Sequence, residues 1–402
     1  MKRGFGHAKL SVIATWYVAK FSRDIYLPAL PAIALSFDIH QDVMQFVVAI
    51  YFTSLALSRF VWSPLTDIFG RRKIMLITIP IFLTGSLICA FSVDFPMFFA
   101  GRLLQGFGIG CVTAIGRAMI NDMYDKKDTT KALTYLSLLA AWSPALATMI
   151  GGYILLFLDW HYSFIFLFIM GLILLLQTIF YLPETNPTLN KATNVIPNII
   201  KTYKRLIADR DYCRYLLAYS FVFAGTVVYY TASPFLFVKS MKIDPHVYGY
   251  FAFMTVAGIM VGKFIATFLV HHLRIDKVLL VGILVALVAG LLMTSIALAF
   301  EPTILNTMGP TMLYFVGMGI MSPTSKAATM SLIPGTAGAA SALFGLLQGL
   351  ASTMAGIIVA PFHDLTALPM GLMLIGVSGI GLILFIILRT KPEKASPPID
   401  IA

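Results

Sequence analysis

The sequence predicts an all-α membrane protein with twelve transmembrane helices arranged as two six-helix halves. Three observations carry that prediction. Of the 402 residues, 59% are hydrophobic and only 12% charged, with a mean hydropathy of +0.87, whereas soluble domains carry about a quarter charged residues. A bilayer core of about 30 Å needs roughly 20 apolar residues per helix, and such runs recur twelve times. One long polar stretch, Glu184 to Tyr212, parts the runs six and six.

In chain order the expected spans are 10–35, 43–66, 73–93, 96–120, 131–157, 162–182, 213–238, 247–270, 278–299, 306–332, 336–361 and 368–388. Residues 2–19 imitate a signal peptide, but no small-residue cleavage site follows and Lys20 interrupts the apolar run. They are expected to begin the first helix. The halves are then 1–184 and 213–402, with 185–212 as a linker. In the linker Ile196, Ile199, Ile200, Tyr203, Leu206 and Ile207 recur at helical spacing with Lys201, Lys204 and Arg205 between them, the pattern of an amphipathic helix at a membrane surface.

Orientation follows from the basic residues. Of the 29 Lys and Arg, 20 lie in or beside the terminal segments and the loops after the even-numbered helices, and only Lys239 and Lys242 lie on the other side. Both termini are therefore expected in the cytoplasm. The same asymmetry accounts for the net charge of +11, so no nucleic-acid partner is expected. Cys89, Cys111 and Cys213 lack metal-ligand spacing and are expected as free thiols.

Enzyme motifs and cofactor sites are not expected. Gly106, Gly108 and Gly110 imitate part of a dinucleotide fingerprint, but no strand precedes them, so they read as close-packing positions, as do Gly345 and Gly349. The informative residues are the charges inside spans: Lys20, Arg23, Asp24, Arg59, Arg102, Arg117, Lys263 and Lys326. A charge near the bilayer centre costs on the order of 3 kcal/mol, so several of these should face a wet cavity or a partner. Lys20, Arg23, Arg59, Lys263 and Lys326, interleaved with Tyr26, Tyr51, Tyr229 and Tyr230, form the expected substrate-binding set. Their excess over a single acid favours an anionic or carboxylate-rich substrate. Asp24 is the only acid well inside any span. It is either a proton carrier or the i, i+4 partner of Lys20.

Ser63 to Lys73 reads SPLTDIFGRRK, a short loop in which Gly70 can adopt positive φ and Arg71, Arg72 and Lys73 mark the cytoplasmic face. Asp67 is expected near the N-terminus of helix 11 at Pro334, Gly335 and Thr336, where the helix dipole would attract a carboxylate. With Arg71 paired to Asp122, and Arg117 either snorkelling or reaching Asp122 as well, Asp67, Gly70, Arg71, Arg72, Arg117 and Asp122 form an expected conformational latch.

This loop resembles the pattern G-x-L-x-D-x-x-G-R-[RK] of the major facilitator superfamily of transporters through Leu65, Asp67, Gly70, Arg71 and Arg72, with Ser63 in place of the first glycine. RDIYLPALP (Arg23 to Pro31), RLLQGFGIG (Arg102 to Gly110), RAMINDMY (Arg117 to Tyr124), TASPFLF (Thr231 to Phe237), PGTAGAASALFGLLQ (Pro334 to Gln348) and LPET (Leu182 to Thr185) are similar to the Bcr/CflA group of drug exporters. The resemblance implies a monomeric transporter of the bacterial inner membrane, exporting a small molecule by proton antiport and alternating access. It associates Arg102 with proton coupling and has an aspartate at the place of Asp24, the candidate proton carrier. Ala147 and Thr148 stand where proton antiporters usually carry a Gly-Pro pair. Within this frame an acidic substrate such as a siderophore or acidic metabolite competes with neutral or cationic lipophilic drugs.

Overall fold

A computed structural model describes residues 5–123, 126–186, 195–332, 337–359 and 366–389. Among these the chain is helical, and ten helices are long and apolar enough to cross a membrane. The first and fifth expected spans are the exceptions, and both are broken. Helix 1 divides into α1 (Phe5–Asp24), a 3-10 turn (Leu27–Ala29) and α2 (Leu30–Ser36). Pro28 and Pro31 sit in the first turns of the last two pieces, where a missing N–H costs nothing. Helix 5 divides into α7 (Lys126–Ala141) and α8 (Ser143–Phe157), restarting at Pro144.

Helix 2 is α3 (Gln41–Phe69), helix 3 is α4 (Arg71–Ala90), and helix 4 comprises α5 (Phe95–Ile109) and α6 (Val112–Met123). Helix 6 is α9 (His161–Phe180), followed in the linker by α10 (Val195–Ala208). Helix 7, α11 (Arg210–Pro234), ends in a π-helical turn over Phe235–Ser240, which follows Pro234. The last five helices are α12 (Pro245–His272), α13 (Ile275–Ala299), α14 (Ile304–Ser331), α15 (Ala337–Val359) and α16 (Leu368–Ile387).

Small residues set how closely these helices approach. A Cβ on Gly108 would lie 2.3 Å from the Phe82 backbone nitrogen, and one on Gly110 would lie 2.5 Å from the Leu55 carbonyl oxygen. The glycine series of helix 4 thus packs against helices 2 and 3, as its lack of a preceding strand implied.

The halves meet along two seams. In the first, α3 lies on α15: Thr53 and Thr353 share a hydroxyl hydrogen bond of 2.6 Å, and a Cβ on Gly349 would fall 2.3 Å from that of Ala56. In the second, α8 lies on α12, with the Tyr153 and Tyr250 hydroxyls 2.6 Å apart. At the end of the molecule away from the linker, Lys239 Nζ of the second half donates to Gln41 Oε1 of the first at 3.4 Å. All three cysteines are free thiols.

Candidate functional site

The break in helix 1 creates the centre of the site. Gly151 of α8 faces it, and a Cβ there would lie 1.7 Å from the Ile25 carbonyl oxygen, so only glycine permits this approach. Immediately before the break, Arg23 binds the fully buried Asp24 with two bonds, Nε to Oδ1 at 2.6 Å and Nη2 to Oδ2 at 2.7 Å. Adjacent residues do not face each other within a helix; here the pairing becomes possible because α1 ends at Asp24. The partner of Asp24 is therefore Arg23 and not Lys20, which corrects the i, i+4 pairing. The Arg23 guanidinium also lies 5.6 Å from the centre of the Tyr230 ring, reaching from the first half to the second.

Around this pair the fold gathers the other basic residues. Lys20 is within electrostatic reach of Arg23, Lys263 and Lys326; Arg59 of Arg23 and Arg117; Lys326 of Arg117, Lys263 and Arg59. All are half-buried. Arg59 donates from Nε to the Gly110 carbonyl at 3.0 Å, and its Cδ would lie 3.2 Å from a Cβ on Gly345 across the first seam. Lys326 Nζ lies 5.8 Å from the centre of the Tyr219 ring. Among the described residues, Lys20, Arg59, Lys263 and Lys326 form no ion pair, and the nearby Asp24 is already occupied by Arg23. The arrangement is a cationic cluster, contributed by helices 1, 2, 4, 8 and 10, with its single carboxylate neutralised.

Arg102 lies apart from any carboxylate. It is fully buried, and its guanidinium is clamped between the rings of Tyr26 and Tyr51, 3.9 Å from each centroid. Nη1 donates to the Gln105 side-chain oxygen and, at 3.3 Å, to the Ser22 carbonyl. Gln105 in turn donates to Ser86 Oγ at 2.8 Å, and the Ser22 and Tyr51 hydroxyls are 2.5 Å apart. The charge is held by π-faces and neutral dipoles. Gln105 was missed in the sequence, although its i+3 spacing from Arg102 places it on the same helical face.

The four tyrosines consequently separate. Tyr26 and Tyr51 belong to the Arg102 clamp, and Tyr230 to Arg23. Tyr229 turns into the second half, edge-on to Phe315 at 5.6 Å, with its hydroxyl donating to Met308 Sδ at 3.7 Å. It does not join the cationic cluster.

The loop between helices 2 and 3 is a single residue, Gly70, at φ 95° and ψ 155°, a conformation essentially confined to glycine. Arg71 joins three acids at this corner. Its Nη1 meets Asp67 Oδ1 at 2.6 Å, its Nε meets Asp122 Oδ2 at 3.1 Å, and its backbone N–H donates to Glu184 Oε1 at 2.9 Å. The Arg72 N–H donates to Glu184 Oε2 at 3.0 Å, and Arg72 Nη2 donates to the Ile179 carbonyl at 2.8 Å. Glu184, which the sequence reading left without a role, therefore caps the open N-terminus of α4 from the far end of helix 6. Arg117 stacks 5.5 Å over Trp16, while the Asp122 carboxylate goes to Arg71 and, at 3.3 Å, to the Thr185 hydroxyl. The expected docking of Asp67 at Pro334, Gly335 and Thr336 falls outside the described residues.

A separate crevice of about 310 Å³ is lined by Val43, Phe46, Ala49, Ile50, Phe95, Phe99, Thr353 and Ile357. It carries no charged side chain, and the cationic cluster does not contribute to it.

Comparison with known proteins agrees with this architecture. A family profile described as Major Facilitator Superfamily matches residues 17–356. The chain is 28% identical over 367 residues to an uncharacterized MFS-type transporter, YdgK, of Bacillus subtilis, covering 90% of each. It is 25% identical over 354 residues to the bicyclomycin resistance protein homolog of Haemophilus influenzae, covering 87% of this chain and 88% of the other. A crystal structure of the peptide transporter POT in complex with sulfate superposes with a TM-score of 0.77 at 13% identity, covering 95% and 93% of the two chains, which bears on the fold alone. A multi-pass helical chain with bacterial relatives of this kind is a transporter of small molecules and not an enzyme; it belongs to the major facilitator superfamily and resembles its Bcr/CflA group.

Proposed function

We propose that this transporter exports a small organic anion across the bacterial inner membrane in exchange for protons, working as a monomer by alternating access. One observation carries the reading: Lys20, Arg59, Lys263 and Lys326 share a neighbourhood without an acidic partner, while Asp24 is occupied by Arg23. Holding several uncompensated charges within a membrane is costly unless water and a ligand of opposite sign compensate them. A cationic drug would find no free carboxylate there. A carboxylate-rich molecule, such as a siderophore or acidic metabolite, would supply what the cluster lacks.

Direction follows from the same sign. Moving one elementary charge through 100 mV is worth about 2.3 kcal/mol, so a dianion leaves a negative-inside cell with roughly twice that assistance. The cytoplasmic placement of both termini and of α10 rests on the Lys and Arg asymmetry. In this reading Arg23 and Asp24 form the proton-sensitive element, Arg102 holds helix 4 to helix 1 beside it, and the Arg71 corner is the latch. The two seams, α3 on α15 and α8 on α12, supply the surfaces about which the halves would rock.

A second reading, efflux of neutral or cationic lipophilic drugs, is favoured by relatives named for resistance to bicyclomycin and to multiple drugs. Transport in inverted vesicles, with the proton gradient imposed or collapsed, separates the two. The anion reading expects uptake of a carboxylate-rich compound that falls at least tenfold in Arg59→Gln and Lys326→Gln, with a cationic dye neither bound nor moved. Tight dye binding with no anion recognised rejects it in favour of the second.

A further inference from the structure

We infer that the outward face of α10 is a docking surface for the headgroups of anionic phospholipids. An amphipathic helix at a membrane surface usually turns its apolar stripe toward the lipid, but among the described residues of this stripe Tyr203 and Leu206 face protein. Tyr203 and Leu206 are buried, Tyr203 stacking on Phe60 of α3 with ring centroids 5.6 Å apart, and α10 also touches α11 and α15. The opposite face is left free. Lys201, Lys204 and Arg205 are exposed, share one helical face by their i, i+3, i+4 spacing, and form no ion pair among the described residues.

Depth decides what this face meets. Phe60 lies nine residues before the end of α3 at Phe69, so Tyr203 docks about 13 Å along the helix from that end. With 29 residues, α3 extends for about 44 Å, longer than a hydrocarbon core of about 30 Å. Centred on such a core, α3 overhangs it by about 7 Å at this end, so the stacked pair lies about 6 Å inside the boundary. The long basic side chains on the opposite face of α10, a helix width of about 10 Å away, reach the headgroups. Ile207, beside the basic face, is 55% exposed, a side chain suited to the acyl margin. Three cations and an exposed isoleucine at headgroup depth complement an anionic lipid surface. Because the buried stripe rests on α3 of the first half and on α11 and α15 of the second, lipid held here would bear on the first seam.

The surface is tested by lipid contact, independently of any transport substrate. The full chain, with Ala208→Cys carrying a bimane fluorophore and Cys213→Ser removing the half-buried thiol, is reconstituted in phosphatidylcholine. Spin-labelled phosphatidylglycerol is then compared with spin-labelled phosphatidylcholine as a quencher. The expected result is preferential quenching by phosphatidylglycerol, with the preference falling by about fivefold for each basic residue replaced, lost in Lys201→Gln/Lys204→Gln/Arg205→Gln, and restored when Lys201 and Lys204 are replaced by Arg with Arg205 retained. Equal quenching by the two lipids in the parent protein, or a preference that survives the triple replacement, overturns the inference.

Discussion

Both guanidinium bonds of Arg23 go to the neighbouring Asp24, at 2.6 and 2.7 Å, so the one acid inside the cationic cluster is already bound. Asp24→Asn should abolish transport driven by a pH gradient while leaving substrate binding nearly independent of pH. Arg23→Gln strands a buried carboxylate, which costs roughly 3–5 kcal/mol, and the double replacement should recover most of that loss. Thermal unfolding of the four proteins in detergent measures the cycle. Proton-driven transport retained by Asp24→Asn would assign coupling to another group.

The clamp on Arg102 depends on a planar cation. Lysine keeps the charge but cannot lie flat between Tyr26 and Tyr51, so Arg102→Lys should lose about 2–4 kcal/mol of stability together with transport. Tyr51→Phe keeps the ring and removes only the bond to Ser22, a loss of about 1 kcal/mol. Similar losses in the two variants would show that the hydroxyl, and not the ring, holds the site together.

At the Arg71 corner two acids should separate by function. Glu184 caps the first N–H groups of α4, so Glu184→Gln should lower the melting temperature with little effect on the kinetics of the remaining folded protein. Asp67→Asn should lower turnover strongly while expression and substrate binding survive. Unchanged turnover in Asp67→Asn would reduce the loop to a marker of topology.

Two glycines offer a contrast in packing. Gly151→Ala drives a methyl group into the Ile25 carbonyl and should destabilise the protein by more than about 4 kcal/mol. Gly309→Ala meets nothing within 4 Å and should fall within about 1 kcal/mol of the parent. Yield and melting temperature of the purified variants decide it.

Topology is checked with single cysteines. A probe at Asp244, exposed at the start of α12, should react with an impermeant reagent in intact cells, whereas one at Lys204 should react only after permeabilisation. Labelling at Lys204 in intact cells would reverse the orientation read from the basic residues.

The sequence by itself determined the membrane class and the family, because hydropathy and contiguous motifs are local properties of the chain. It also placed every intramembrane charge, and it brought Arg71 to Asp122. Only the tertiary structure decided which of those charges meet. Arg23 takes Asp24 because the prolines end α1 at that residue, a detail of backbone direction that i, i+4 counting cannot supply. Arg102 finds two tyrosines from different helices, and Tyr229 packs edge-on to Phe315 while its neighbour Tyr230 meets Arg23, because ring packing depends on helix rotation. Glu184 caps α4 across more than a hundred residues of sequence, since an open helix N-terminus accepts whichever carboxylate the fold delivers.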